Sequence, residues 1–220
     1  MSTQSAPLVL SIEELLNRVH TGKLVTAKVL KISPDTAVFE TLYGAKSIVP
    51  VTNFYPNKAW VVGQQYTMLV VNDEPLELTV SGPEIVELLL EGVVPEIRDG
   101  RVRVVSVARQ PGVRTKVGVV ATRPDVDAVG ACLGRGAGRV KSVSKSLLGE
   151  RVDIVAYHGQ PAIYAMNALA VGAIRTELGE DNTLEVFVPQ HKILAALGGG
   201  NINAILTARL LGQKIRIQGV

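Results

Sequence analysis

The stretch that decides the fold is Leu133–Val143, "LGRGAGRVKSV", together with its near-copy Leu197–Leu206, "LGGGNINAIL". Each begins with Leu-Gly, packs three glycines into a few residues and continues into an amphipathic pattern. A glycine-rich turn that opens a helix often holds a phosphate, because bare backbone amides and the positive end of the helix dipole face it. The pair could therefore be one phosphate loop with a chance resemblance beside it, two nucleotide-binding sites, or one structural motif that occurs twice.

The residues around the glycines exclude two nucleotide-binding folds. A dinucleotide fold needs a strand directly before the glycines and an acidic residue about 20 positions further on, whereas "PQHKILAAL" before Gly198 has apolar residues at helical spacing. A Walker loop needs Gly-Lys-Ser/Thr, which follows neither stretch. A glycine turn between two short helices beside a sheet is the KH arrangement, whose GxxG loop lies against about four nucleotides of single-stranded RNA or DNA.

Basic charge is concentrated in the block that contains the first glycine stretch. The chain has a formal net charge of +3, but residues 96–151 carry 12 Lys/Arg against 5 Asp/Glu. Residues 1–95 carry 6 against 10, and residues 152–220 carry 5 against 5. A basic block of this kind indicates a segment that binds a polyanion. The alternative is a solvated basic face.

The first third of the chain has the pattern of a small β-barrel. After a helix with a capping-box start at Ser11 and Glu14, five β-branched runs separated by turn residues fill about 60 residues, which suits a closed barrel of the OB type. Six of the nine aromatic residues fall here, and OB barrels stack bases on such rings. Because most rings in so small a barrel fill its core, we expect two to be exposed for RNA contact, Tyr43 and Phe54.

The remainder of the chain has an α+β pattern with an internal repeat. A helix, "GPEIVELLLEGVVP", with Gly92 as its expected stop, joins it to the barrel. The order helix, glycine turn, helix, strand then occurs twice, with Gly134 and Gly198 in corresponding places. This repeat of about 65 residues is the strongest organisational signal in the chain. Between the copies, "PAIYAMNALAVGAI" is expected to be one helix leading into the strand "TLEVFVP".

The run from Pro95 to Leu169 contains "VPEIRDG", "VARQPGVRTKV", "RPDVDAVGACLG", "LGERVDIV" and "NALA". These segments resemble the bacterial NusA family of transcription elongation factors in order and spacing. The resemblance covers roughly residues 20–220 and implies an α+β multidomain chain: an S1-type OB barrel followed by two tandem type II KH domains. We expect an N-terminal helix or extension over 1–20, the S1 domain over 21–81, a linker helix over 82–95, and KH domains over 96–173 and 174–220.

The glycine loops depart from the family's GxxG pattern. Gly134-Arg135-Gly136-Ala137 closes with Ala, and Gly198-Gly199-Gly200-Asn201 closes with Asn and lacks the usual lysine. Ala at a left-handed position costs about 1 kcal/mol, whereas Asn tolerates that position better. Gly136 and Gly138 would permit a shift by one residue. We expect weakened RNA binding at the first KH domain and little at the second.

The candidate RNA-binding residues lie on the two glycine loops, the helix after the first loop, the hairpin "RQPGVRT" and the barrel. They are Gly134, Arg135, Gly136, Gly138, Arg139, Lys141, Lys145, Arg109, Arg114, Lys116, Gly198, Gly199, Gly200, Asn201, Tyr43 and Phe54. For the hairpin residues the alternative is a solvated turn without RNA.

The sequence predicts neither a cofactor nor a catalytic site. Cys132 is the single cysteine, so no internal disulfide forms, and its apolar helix face places it in the core. The three histidines are scattered without a metal-ligand spacing, and no nucleophile–base or paired-carboxylate arrangement emerges. No run approaches the roughly 20 apolar residues of a membrane span. We expect a non-enzymatic, cytoplasmic monomer that binds no metal, cofactor or membrane.

The resemblance implies an RNA-binding factor that acts with RNA polymerase on pausing, termination and antitermination. The expected partners are single-stranded or nascent RNA and RNA polymerase or another transcription or translation component. About 20 residues before the barrel cannot form the family's polymerase-binding N-terminal domain, so we expect a divergent NusA core. The alternative is a protein-interaction adaptor associated with polymerase or the ribosome, because both closing glycines are absent.

Overall fold

The computed structural model describes residues 19–53, 59–179 and 181–220. The chain forms two compact units, the first ending at Ile85 and the second running from Val86 to Val220. The expected capping-box helix and Phe54 lie outside the described residues.

The first unit is a five-stranded antiparallel barrel of the OB type. Its strands are β1 (Leu24–Ile32), β2 (Thr36–Thr41), β3 (Lys46–Pro50), β4 (Gln65–Asp73) and β5 (Leu76–Thr79). They are arranged in the sheet in the order β3-β2-β1-β4-β5. A short 3-10 turn, Val51–Asn53, follows β3. Ser47 on β3 donates a hydrogen bond from Oγ to the carbonyl of Leu76 on β5 at 2.8 Å, which brings the two edge strands together. The five strands predicted from the sequence are confirmed.

The barrel interior is built on three aromatic rings. Phe39 and Trp60 pack edge to face with ring centroids 4.8 Å apart, and Trp60 and Tyr66 do so at 4.9 Å. All three are buried. For Phe39 this follows from the strict alternation of buried and partly buried residues along β2. These rings stabilise the barrel and are not available for stacking with a base.

The second unit contains the remaining helices and strands of the described chain. The helices are α1 (Glu84–Val93), which begins at the end of the first unit, α2 (Pro95–Arg98), α3 (Ala128–Leu133), α4 (Gly138–Ser146), α5 (Pro161–Leu169), α6 (Ile193–Leu197) and α7 (Ile202–Leu211). The strands are β6 (Val102–Gln110), β7 (Arg114–Ala121), β8 (Arg151–Ala156), β9 (Arg175–Leu178), β10 (Leu184–Val188) and β11 (Ile215–Gly219). Short 3-10 turns cover Arg135–Ala137, Gln190–Lys192 and Gly199–Asn201.

Two three-stranded sheets of the same topology organise this unit. In the first, β6 pairs antiparallel with β7, and β7 pairs parallel with β8. In the second, β9 pairs antiparallel with β10, and β10 pairs parallel with β11. Each sheet follows the order helix, two strands, two helices joined by glycines, and strand, which is the type II KH topology. The sequence repeat is therefore a repeat of structure.

One core cluster of these domains is built from residues of both KH units. Leu206 and Leu210 of α7 pack with Ala108 of β6 and Val155 of β8, so a helix of the second KH unit covers one face of the first sheet. Helix α5 faces both units: Tyr164 and Ala168 join this cluster, whereas Ala165 and Leu169 pack with β10 and α6. The hydroxyl groups of Tyr164 and Ser106 on β6 lie 2.9 Å apart. The ring fits because Gly118 has no Cβ, which would lie 1.9 Å from the tyrosine oxygen.

The structure corrects three boundaries expected from the sequence. Helix α1 continues through Gly92 to Val93. Helix α5 ends at Leu169, because Ala170 takes a left-handed conformation at φ 56°, so the predicted helix over "AVGAI" is wrong. Strand β9 was not expected, since its residues are mostly exposed and it lacks the apolar run that marks a strand.

Candidate nucleic-acid interface

The first glycine bend joins α3 to α4. Asp127 caps α3 by accepting a hydrogen bond from the Gly130 amide at 3.0 Å, and the helix ends at Gly134, with φ 69° and ψ 176°. Gly136 and Ala137 follow with φ 58° and 59°. Helix α4 begins at Gly138 in ordinary helical geometry, so the shift by one residue does not occur.

The second glycine bend repeats this backbone almost angle for angle. Gly198 has φ 73° and ψ 168°, Gly200 has φ 60° and ψ 26°, and Asn201 has φ 60° and ψ 15°. Ala137 and Asn201 stand where the family pattern has its closing glycine, and both keep the left-handed conformation. The two bends therefore follow the same path, although one closes with Ala and the other with Asn.

The opening glycine of each bend is required by space as well as by φ. A Cβ on Gly134 would lie 2.7 Å from Cγ of Arg139, and one on Gly198 would lie 2.9 Å from Cβ of Asn203. Gly136 and Gly200 have open space around them. Within the described residues, no backbone carbonyl accepts a hydrogen bond from the amides of Arg135 or Gly136. These amides are positioned to donate to a ligand at the bend.

Two exposed cations lie at the first bend, and a third lies at the far end of the helix that follows it. Arg135 lies within the bend, and Lys141 and Lys145 lie one turn apart on α4. Lys141 donates from Nζ to the carbonyl of Gly136 at 3.0 Å, so its ammonium group lies at the bend itself. Arg139 differs from these three, because its side chain is only 32% exposed and is paired with Glu96 at 2.9 Å. Arg135, Lys141 and Lys145 thus form the accessible basic surface of the first bend.

The second bend has the same backbone and different surroundings. Its four residues are Gly198, Gly199, Gly200 and Asn201, so the loop carries no charge. Leu194 before it is 83% exposed, and Ile205 after it is 41% exposed. Counted from the opening glycine, Ile205 occupies the place that Lys141 has in the first KH unit. The loop of the second bend is therefore neutral, and aliphatic side chains flank it. On the helix that follows, the exposed Arg209 stands where Lys145 stands in the first KH unit.

The hairpin residues Arg109 and Lys116 are not on the surface, which corrects both readings made from the sequence. The Arg109 side chain is buried and donates from Nε and Nη2 to Glu150, each at 2.9 Å. Glu150 is fully buried and also accepts from the Gly112 amide at 2.7 Å and from the Thr115 hydroxyl. This carboxylate fixes the β6–β7 turn. Arg109 therefore presents no charge to a nucleic acid in this conformation.

Lys116 and Arg114 meet a second carboxylate, Asp153 on β8. Arg114 pairs with Asp153 at 2.6 Å and Lys116 at 3.2 Å, and Lys116 also donates to the carbonyl of Ala168 at the end of α5 at 2.6 Å. Burial lowers the pKa of Lys116 from 10.5 to about 8, against the opposing effect of the Asp153 charge. Arg114 is mostly buried as well. Neither acidic partner was found from the sequence, because the pairing depends on the parallel register of β7 and β8.

The structure describes one of the two barrel rings predicted to stack on bases. Tyr43 is partly exposed in the turn after β2, where its amide lies 3.3 Å from the Thr41 hydroxyl. Phe54, the other predicted stacking ring, lies outside the described residues. Cys132 is buried as predicted, and burial, with the nearby Glu96 charge, raises the pKa of its thiol to about 11.

In the described ranges, no group of three or more His, Cys, Asp or Glu side chains is placed to hold a metal ion. No single described helix is long and apolar enough to cross a membrane. The segments 190–197 and 199–211 reach that length only when counted together across a 56° bend.

Comparison with known proteins agrees with this geometry. The family model described as NusA-like first KH domain matches residues 81–157, which include the first sheet and the first glycine bend. The transcription termination/antitermination protein NusA of Halalkalibacterium halodurans is 33% identical over 192 residues, covering 82% of this chain and 50% of that protein. NusA of Mycobacterium tuberculosis is 32% identical over 227 residues, covering 99% of this chain and 63% of that protein. Over most of its length, the chain is a homologue of NusA.

Two further matches complete the comparison. NusA of Bacillus subtilis is 33% identical over 192 residues, covering 82% of this chain and 51% of that protein. The chain thus spans about half to three fifths of the curated NusA proteins it matches. The crystal structure of APE1850 aligns with 61% of this chain and 95% of its own, at 17% identity and a TM-score of 0.44. The NusA resemblance and the S1–KH–KH architecture expected from the sequence are confirmed.

Proposed function

We propose that this chain is a non-enzymatic, RNA-binding transcription factor that contacts single-stranded or nascent RNA through the first KH unit. The observation that carries the proposal is the bend Gly134–Ala137: its Arg135 and Gly136 amides donate to no backbone carbonyl of the described residues, and Arg135 and Lys141 are exposed beside them, with Lys145 further along α4. A sugar–phosphate strand could lie against these amides because neither Gly134 nor Gly136 has a side chain. Its phosphates would meet Arg135, Lys141 and Lys145.

We also propose that the second KH unit contributes little phosphate binding. Its loop has the same backbone and no cation, and Ile205 stands where the first KH unit has Lys141. Of the three cations proposed for the first KH unit, only Lys145 has a basic counterpart, Arg209. Counterion release scales with the number of phosphates neutralised, so a neutral bend adds little to the salt-dependent part of the affinity. Effects on pausing, termination or antitermination, and association with RNA polymerase, are proposed from the NusA relatives.

A salt titration tests the RNA proposal. The affinity for a fluorescein-labelled, unstructured RNA oligomer is measured by anisotropy at several salt concentrations. Three phosphate-neutralising cations predict a slope of log K against log salt of about −2, from about −0.7 for each contact with a single strand. In the double variant Arg135→Ala with Lys141→Ala, the slope should become shallower by about 1.4.

A charge-matched variant serves as the control. Arg103→Ala with Arg123→Ala removes two exposed arginines of the same basic block that lie outside the bend, and it should leave the slope nearly unchanged. Absence of binding at low salt, or equal slopes in the two double variants, would contradict the proposal.

The transcription part has its own measurement. In a purified transcription reaction with bacterial RNA polymerase, the chain should change the lifetime of a pause or the efficiency of a terminator, and the Arg135/Lys141 variant should lose that change. If polymerase or ribosomal proteins are retained on the immobilised chain after nuclease treatment while RNA affinity is absent, the chain is a protein-interaction adaptor instead.

A further inference from the structure

One residue after each glycine bend occupies a corresponding place and makes corresponding contacts. Arg139 lies five positions after Gly134, and Asn203 lies five positions after Gly198. Both are in the first turn of the helix that follows the bend, α4 or α7. The side chain of each lies directly against the place where the opening glycine has no Cβ.

In the first KH unit, Arg139 joins three elements that the chain brings to the bend. Its Nη1 donates to the carbonyl of Ala131, in the last turn of α3, at 2.6 Å. The same nitrogen donates to Glu96 of α2 at 2.9 Å. Because Arg139 itself belongs to α4, its side chain links the helices on both sides of the bend to the leading helix of the unit.

In the second KH unit, the uncharged Asn203 likewise links the two helices beside the bend to the leading helix of its unit. Its Nδ2 donates to the carbonyl of Ala196, in the last turn of α6, at 3.0 Å, and to that of Leu169, at the end of the leading helix α5, at 3.3 Å. Asn203 is 1% exposed. It cannot reach a phosphate on the surface, so the role that it shares with Arg139 is internal.

We infer that Arg139 and Asn203 are positioning residues, each of which holds its glycine bend in the open conformation. Each bend has three residues at positive φ, one of them Ala or Asn, and such backbone persists only where surrounding contacts hold it. Arg139 then does not belong to the phosphate-binding cations. The expected effect of Arg139 on RNA affinity rests on the proposed function, whereas its expected effect on the backbone of the bend does not.

The test without RNA uses amide hydrogen exchange in the full chain, resolved by NMR. The informative amides of the first bend are those of Gly134 and Ala137, which donate to Gly130 and Gly134 at 2.9 and 3.0 Å. In the second bend they are those of Gly198 and Asn201, which donate to Leu194 and Gly198. Arg139→Ala should accelerate exchange at the first pair roughly 10- to 100-fold, the effect of one charge-assisted hydrogen bond, and leave the second pair unchanged.

Three further variants complete this measurement. Asn203→Ala should do the reverse of Arg139→Ala, accelerating only the second pair of amides. Arg139→Lys, which keeps a donor on a long stem, should restore much of the protection at the first pair. Glu96→Gln, a milder change in α2, should accelerate exchange at the first pair, and Asp99→Asn, whose partner is the exposed Arg101 at 3.0 Å, should not.

The test with RNA distinguishes positioning from phosphate contact. If Arg139 were a phosphate ligand held back by Glu96, Glu96→Gln would release it, raise the affinity above that of Asp99→Asn and steepen the salt slope by about 0.7. We expect no such gain. That gain, or unchanged exchange at Gly134 and Ala137 in Arg139→Ala, would overturn the inference. If the unaltered chain binds no RNA, the proposed function fails while the exchange result still decides the role of Arg139.

Discussion

Replacement of Glu150 by Gln should destabilise the second unit far more than its single lost charge suggests. Glu150 and Arg109 have side chains that are 0% and 2% exposed. The carboxylate accepts four hydrogen bonds, from two nitrogens of Arg109, the Gly112 amide and the Thr115 hydroxyl. A glutamine amide has one oxygen and cannot accept all four, and it leaves the buried guanidinium without a counter-charge. The expected loss is about 3–5 kcal/mol.

Urea denaturation followed by circular dichroism at 222 nm measures this loss. All the α-helices described in the structure, apart from the first two residues of α1, lie in the second unit, so the helical signal reports on that unit. Trp60, the only tryptophan, is in the barrel and reports on the first unit separately by fluorescence. With a slope of about 2 kcal/mol per molar urea, the midpoint of the helical transition should fall by roughly 2 M.

Two further variants make the result decisive. Asp99→Asn removes one acid from an exposed pair with Arg101 and should change stability by less than about 1 kcal/mol. Arg109→Met combined with Glu150→Leu removes both buried charges and should recover part of the loss; the rest stays lost because the Gly112 amide and the Thr115 hydroxyl no longer have their acceptor. A midpoint for Glu150→Gln equal to that of Asp99→Asn would refute the reasoning, because it would mean that burial gives this pair no special weight.

Three other measurements follow from the second unit. Gly134→Ala should lower the free energy of unfolding by more than about 1 kcal/mol and weaken RNA binding, because the new Cβ would lie 2.7 Å from Arg139 at a φ of 69°. Gly138→Ala, in open space at φ −63°, should be neutral or slightly stabilising. The urea midpoints of the two variants check this. Burial lowers the pKa of Lys116 to about 8, so between pH 8 and 10.5 the unfolded chain binds more protons than the folded one, and stability relative to Lys116→Met should rise with pH across that window. Cys132 is fully buried with its pKa raised to about 11, so a thiol reagent should label it only after unfolding; rapid labelling of the folded chain would contradict the structure.

The sequence predicted those features whose signals are local. Five β-branched runs separated by turns gave the barrel strands, and the two glycine stretches gave the bends and their flanking helices. The apolar face of its predicted helix also placed Cys132 in the core. In each case the determining residues lie within about a dozen positions of one another, so periodicity and turn chemistry suffice.

Features that depend on distant pairing could not be predicted in the same way. Arg109 and Lys116 looked like surface cations until the register of β6, β7 and β8 placed Glu150 and Asp153 beside them. Strand β9 depends on its pairing with β10, since three of its four residues are polar. The termination of α5 at Leu169 rests on a left-handed Ala170, a residue type that usually extends a helix.

The sharing of Leu206 and Leu210 across the two KH units has a consequence for the evolution and dissection of the chain. A fragment cut after residue 157 would retain every strand of the first sheet and the whole first bend, yet Ala108 and Val155 would face water. The second KH unit therefore covers an apolar face of the first, whether or not its own bend binds nucleic acid. Selection for RNA binding could therefore relax at Gly199 or Asn201. Leu206 and Leu210 would remain constrained, because they pack against the first KH sheet.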